Sequence, residues 1–171
     1  MNHRKIILIT VPTILLLLAS FLGYKIWSTT EAKEKIVAAT QYVPSMQLRK
    51  LDGSIFNTDS FKTNEQLLVL NYFNPECDHC QSMVKELFRE QQLIENVNWL
   101  MITSTSVEKT KHFADTMQLS QLPNVTVLND TAAVFTTAFG NVSVPSFYVY
   151  KNGKLLRKHS SECSVAYLVK E

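Results

Sequence analysis

Cys77 and Cys80 stand two residues apart in Phe73-Asn74-Pro75-Glu76-Cys77-Asp78-His79-Cys80-Gln81. Thiols at this spacing can exchange electrons as a dithiol/disulfide couple or share a metal ion. Structural zinc takes about four ligands, usually from two Cys/His pairs. The only other cysteine is Cys163, and His3, His112 and His159 are scattered along the chain. No metal site is expected on that arithmetic. A structural disulfide without turnover is the plainer alternative, but a lone pair so close in sequence is more typical of working thiols than of a staple.

Exchange chemistry needs a thiolate, and the flanking residues say how one would be made. The apolar run Leu67-Leu68-Val69-Leu70-Asn71-Tyr72-Phe73 reads as a buried strand. After the cysteines, Met83, Val84, Leu87 and Phe88 recur at helical spacing. The pair therefore sits where a strand hands over to a helix of about 77–96. The first N–H groups of a helix lack intrahelical partners, and the helix dipole adds positive charge there. Cys77 is thus expected to have a lowered pKa and to be the nucleophile. Cys80, one turn on, is expected to resolve the mixed disulfide. The couple itself is the redox centre, and no other cofactor is expected.

The rest of the chain supplies elements to hold that turn. Met46 to Lys50 and Ile55 to Asn57, split by Asp52-Gly53, read as a hairpin. Asn98 to Thr103, Val125 to Leu128 and Phe147 to Tyr150 read as strands, and Asn152-Gly153 as a tight hairpin turn into Leu155 to His159. Ser106 starts a helix on which Phe113 and Met117 share a face. Asn129-Asp130-Thr131 is expected to cap a helix carrying Val134, Phe135, Ala138 and Phe139, which Gly140 stops; a short helix at about 164–169 ends the chain. Strand–helix alternation of this kind makes a mixed α/β sheet with helices on both faces.

The N-terminal region differs in composition. Ile6 to Tyr24 is a charge-free apolar run of about 19 residues, long enough to cross a bilayer as a helix. A cleaved signal peptide would carry a shorter apolar core and small residues at its cleavage site, and the local sequence offers poor sites. The expected organisation is an anchor at 1–27, a charged, Ala-rich stalk at 28–42, and a folded domain at 43–171. Basic residues nearly balance across the run, and the reactive cysteines favour a domain outside the cytoplasm. A net charge of +2 gives no reason to expect nucleic acid as a partner.

Taken together, these features resemble the thioredoxin fold over about residues 42–171, and within it the membrane-tethered thiol–disulfide oxidoreductases of the TlpA/ResA type. Three stretches carry the resemblance: Cys77-Asp78-His79-Cys80 after a buried strand, Gly140-Asn141-Val142-Ser143-Val144-Pro145-Ser146-Phe147, and the extra hairpin near Leu48 to Ser54. The resemblance implies a cis Val144–Pro145 bond, with the Val144 backbone beside the cysteines as a place for an extended substrate segment. It implies protein disulfides as substrates, a membrane electron donor, and a periplasmic domain on the inner membrane.

The chain departs from the family pattern at Glu76, where tryptophan is frequent, and at Asn71, where thioredoxins proper carry a buried acid. Without that acid, water or Glu76 would have to take the Cys80 proton. Asp78 and His79 are expected to tune the couple in opposite senses, His79 resembling the Cys-Pro-His-Cys motif of DsbA. Cys163 reads as a small buried hydrophobe, with a third redox role as the alternative. A Cu(I) metallochaperone and a thiol peroxidase on related scaffolds are the competing functions. Copper-handling relatives are expected to space their cysteines by three residues, and Asn74 stands where peroxidases usually carry threonine.

Overall fold

The computed structural model describes residues 3–170, with side chains described from Thr13 onward, Leu15 excepted. The chain divides into two units, 1–38 and 39–171. The first is the body of a single helix, α1 (His3–Ala39). Its charged end is braced by a Glu31–Lys35 pair one turn apart, and the hydroxyls of Ser28, Thr29 and Thr30 donate back to carbonyls three or four residues earlier. Among the described residues no helix is long and apolar enough to cross a membrane. The apolar run expected at Ile6 to Tyr24 falls in part outside the residues whose side chains are described.

The second unit is built on seven strands: β1 (Gln47–Lys50), β2 (Ile55–Asn57), β3 (Leu67–Tyr72), β4 (Val97–Thr103), β5 (Val125–Asn129), β6 (Ser146–Lys151) and β7 (Lys154–Ser160). They form one sheet in the order β2-β1-β5-β4-β3-β6-β7. β3, β4 and β5 run parallel, while β6 and β7 on one side and the β1–β2 hairpin on the other are antiparallel. Three helices lie between strands, α2 (Asp78–Arg89), α3 (Val107–Thr116) and α4 (Val134–Phe139), and α5 (Val165–Val169) follows β7.

Every residue of β3 is buried, as expected of a strand covered on both faces. Alternate residues serve two cores. Leu67, Val69 and Phe73 join Trp99, Met101 and Phe147 beneath α2, α3 and α5. Leu68, Leu70 and Tyr72 join Leu100, Ile102, Tyr148 and Tyr150 beneath α4. On that second face Phe135 stacks on Tyr72 and Phe139, with ring centroids 4.6 and 4.3 Å apart. Burying a side chain of that size contributes roughly 1.5–3 kcal/mol, enough to hold a six-residue helix whose Thr136-Thr137 centre is a poor helix former.

Two local expectations are corrected. The helix expected over 77–96 ends at Arg89, and Gln91–Ile94 forms a separate 3₁₀ turn. After Phe88 the inward stripe would next need an apolar residue at 91. It meets Gln91, and a tighter turn delivers Ile94 to the core instead. The α4 cap is also simpler than Asn129-Asp130-Thr131. Asn129 ends β5, and Asp130 alone caps, its two carboxylate oxygens accepting from the N–H groups of Val134 (2.8 Å) and Phe135 (2.9 Å).

The β6–β7 turn has both central residues, Asn152 and Gly153, at positive φ, as a two-residue hairpin requires. Gly153 has a second reason to lack a side chain: a Cβ there would lie 2.0 Å from the Lys62 carbonyl oxygen. Gln41, within the stretch expected as stalk, and Val43, at the start of the expected domain, lie along this turn, with Val43 N–H donating to Gly153 O and Leu155 N–H to Gln41 O.

Candidate active site

Cys77 is the residue at which β3 and its loop become α2. Its backbone is extended (φ −91°, ψ 119°), it occupies the N-cap of α2, and its side chain makes no capping hydrogen bond. The preceding loop is tied to itself. Asn74 Oδ1 accepts from Glu76 N–H at 2.9 Å, Asn74 O accepts from Cys77 N–H at 3.1 Å, and Gln81 Nε2 donates to Pro75 O at 3.0 Å. Short polar residues and proline close such a turn without help from distant parts of the chain.

The two thiols lie in different environments. Both are free, Cys77 half-buried and Cys80 buried at 1% exposure. Burial pushes the Cys80 thiol up to about 12, reinforced by hydrogen bonding to and charge on Cys77 and opposed by the Asn74 backbone. Cys80 therefore keeps its proton near neutrality, while Cys77 is the more exposed of the two sulfurs.

Asn71 is 2% exposed and shares the strand parity of Val69 and Phe73, which places it on the α2 face of β3. Its amide donates only a long 3.4 Å bond to Tyr72 O, and an amide takes no proton near neutral pH. Glu76 is exposed and held by Lys109 of α3 at 2.7 Å. Both residues line a groove of about 550 Å³, with Pro75, Phe113 and Met117 among its other lining residues. Asp78 is exposed in the first turn of α2, where a carboxylate complements the dipole.

His79 has a partner 83 residues away, Glu162, its Nδ1 lying 2.8 Å from the carboxylate Oε2. The Val144–Pro145 bond is cis. Val144 packs against both cores, and Cys77 packs with it against the core that contains Cys80. The Pro145 carbonyl accepts from Ser161 N–H at 2.9 Å, so the turn after β7 touches both the proline loop and, through Glu162, the α2 end. Cys163, half-buried, also joins the α2-side core, and burial pushes its thiol up to about 11.

The structure thus brings Cys77, Cys80, Asn71 and Val144 to one core, and sends Glu76 and His79 outward to Lys109 and Glu162. Neither partner was identified from sequence. Both are ordinary surface residues far along the chain, and no local pattern marks them. Among the described residues no group of three or more His, Cys, Asp or Glu is placed to hold a metal ion.

The family model described as AhpC/TSA matches residues 39–159, more than half of the chain. The chain belongs to the AhpC/TSA family. Its fold is thioredoxin-like. A secreted Mycobacterium tuberculosis disulfide oxidoreductase homologous to E. coli DsbE superposes with a TM-score of 0.59 at 20% identity, covering 74% of this chain and 88% of that one. The MTB dsbF structure, in mixed oxidised and reduced forms, gives 0.63 at 19% identity over 78% and 93%. A peroxiredoxin-like protein from Aquifex aeolicus gives 0.62 at 14% identity over 76% and 82%. No curated protein matches the chain.

Proposed function

We propose that this AhpC/TSA-family protein is a thiol–disulfide oxidoreductase that reduces protein disulfides through Cys77 and Cys80. The observation that carries the reading is the asymmetry of the pair: a reachable thiol at an otherwise uncapped helix end, and a buried, proton-holding thiol one turn behind it. The Cys77 thiolate attacks a substrate disulfide, and the departing substrate sulfur takes a proton. Cys80 then loses its proton and attacks the Cys77 sulfur, forming the Cys77–Cys80 disulfide and releasing the second substrate thiol. Two electrons pass to the substrate, and a thiol donor at the membrane restores the couple. The Val144 backbone, beside Pro145, lines the approach to Cys77 and pairs with an extended substrate segment. Asp78 and His79 set the potential in opposite directions.

The tethered arrangement of the TlpA/ResA type belongs to the same reading. The charge-free run Ile6 to Tyr24 supports an N-terminal anchor in the inner membrane with the folded unit on the periplasmic side. Fractionation with protease protection on sealed cells checks both points. Mature protein starting near residues 20–30 in a soluble fraction would overturn the anchor.

A second reading, a thiol peroxidase, is favoured by family membership and by the peroxiredoxin-like fold neighbour. There Cys77 would be oxidised by a hydroperoxide to a sulfenic acid, with release of an alcohol or water, and Cys80 would condense with it, releasing water. Insulin-disulfide reduction and hydroperoxide consumption, measured side by side with dithiothreitol as donor, separate the two. The reductase reading requires turnover of insulin to exceed that of peroxide, and the reverse ratio sinks it.

A further inference from the structure

The sheet order puts two different features on either side of the loop that carries Cys77. β3 lies between β4 and β6. β4 runs parallel to β3 and ends at the same pole, where the chain goes on into α3. β6 runs antiparallel and begins at that pole, directly after Val144 and Pro145. Neighbouring strands are about 4.8 Å apart, so the lines of β4 and β6 are separated by roughly 10 Å, about three residues of extended chain. The Glu76–Lys109 contact at 2.7 Å brings α3 against the Cys77 loop on the side away from β6.

The groove of about 550 Å³ lies on that α3 side. Pro75 and Glu76 line it from the loop, and Glu108, Lys109, Phe113 and Met117 line it from α3. Its volume falls in the roughly 300–1,000 Å³ of ligand pockets, with room for more than one side chain. Glu76 precedes Cys77 directly, a Cα step of about 3.8 Å. Phe113, Met117 and Cys77 also adjoin the same core. The groove is thus continuous with the reactive thiol.

Its chemistry is mixed. Pro75, Phe113 and Met117 offer apolar surface, beside the carboxylates of Glu76 and Glu108 and the basic side chains of Lys109 and His112. Glu76 takes up the Lys109 charge. Glu108 is exposed and makes no ion pair among the described residues. A carboxylate placed this way beside apolar surface complements a side chain that is basic, next to one that is apolar.

We infer that the groove is a specificity subsite for the polypeptide flanking the substrate cysteine: it takes a large apolar side chain against Phe113 and Met117 and a basic side chain at Glu108. The inference rests on the reductase reading above. The occupant follows from reach. A substrate segment that pairs with the Val144 backbone and offers its sulfur to Cys77 passes over the groove within about three residues of its cysteine, at about 3.3 Å per extended residue. No bond forms or breaks in the groove. It holds the segment while exchange takes place at Cys77, so it sets which disulfides react fastest.

The test uses four peptides, each joined through its one cysteine to a fluorescent thiol. Two and three residues from the cysteine they carry Leu-Lys, Leu-Glu, Ala-Lys or Ala-Glu, and each is made in both chain directions. Reduced full-length protein is mixed with each in a single turnover at low salt. In at least one direction Leu-Lys should react about tenfold faster than Ala-Lys, the scale of partly burying a leucine side chain. It should react about threefold faster than Leu-Glu, a preference that fades as salt rises. Glu108→Lys should reverse the charge preference and keep the preference for leucine. Met117→Ser should weaken the preference for leucine and keep the charge preference. Each preference is a ratio within one protein, and general loss of structure would not reverse it. Equal rates for the four peptides, or preferences that neither variant moves, would overturn the inference. So would self-association of the native chain that Met117→Ser abolishes while peptide preferences stay, since a second copy would then be the occupant. Failure to reduce any peptide, or insulin, would instead remove the reductase reading.

Discussion

The helices of the folded unit begin in two different ways. α3 starts at Ser106, whose side chain accepts from Lys109 N–H, and α5 starts at Ser164, whose side chain accepts from Tyr167 N–H. α4 borrows Asp130, a buried carboxylate holding two N–H groups at once. α2 starts at Cys77, whose side chain makes no capping bond. An oxygen cap stabilises a helix by about 1 kcal/mol, and the chain has the residues to make one. At α2 it places sulfur there instead, and that sulfur makes no capping bond. Three helix ends carry an oxygen cap and one carries a free thiol.

Breaking that end should give the largest effect. Cys77→Ser should lower disulfide exchange on the order of a thousandfold or more, since the nucleophile is gone. Cys80→Ser should leave the first attack intact and accumulate a mixed disulfide, visible by mass spectrometry. Preferential trapping on Cys80 in the Cys77→Ser protein would reverse the assignment.

At α4 the same kind of cut should cost stability and leave the thiols alone. Asp130→Ala should lower unfolding free energy by about 2 kcal/mol, the upper end for a cap because two N–H groups lose their acceptor. Ser106→Ala should cost about 1 kcal/mol. Both are read from urea midpoints, with Cys77 alkylation as the unchanged control. Cys77→Ser should move the other way, gaining a few tenths of a kcal/mol because serine is a better N-cap. A stability loss in Cys77→Ser would show that the α2 end is not short of a cap.

Alkaline pH sharpens the contrast between the two thiols. The Cys80 proton is held in the folded state up to about 12, against an ordinary thiol value of 9.0. The folded chain therefore keeps a proton that the unfolded chain loses above pH 9. The stabilisation is full below that pH and is lost as pH rises toward 12. Reduced protein should show this decline in urea midpoint, and the Cys77–Cys80 disulfide form should show less of it. Over the same range limiting iodoacetamide should label Cys77 first. Equal labelling of both thiols at pH 8 would contradict the asymmetry.

The smallest effect is expected at the exposed pair beside the site. Lys109→Ala should leave the urea midpoint unchanged, because solvent screens an ion pair so open to water.

Much of this was legible before the chain was folded. Cysteine spacing, the apolar run before it and the helical stripe after it placed Cys77 at a strand-to-helix junction, because period and turn chemistry are local properties. Asn152-Gly153 marked the hairpin for the same reason. Helix length was less legible: Gln91 interrupts the inward stripe, and whether a chain continues or tightens there depends on what the core needs filled. Only tertiary structure decided the surroundings of the site. The unequal burial of the two thiols comes from which face of α2 meets β3. The partners of Glu76 and His79 come from α3 and from the turn after β7, brought close by strand order. Pairing across 33 and 83 residues leaves no periodic trace in sequence, since any exposed lysine or glutamate would look the same until the sheet had set its neighbours.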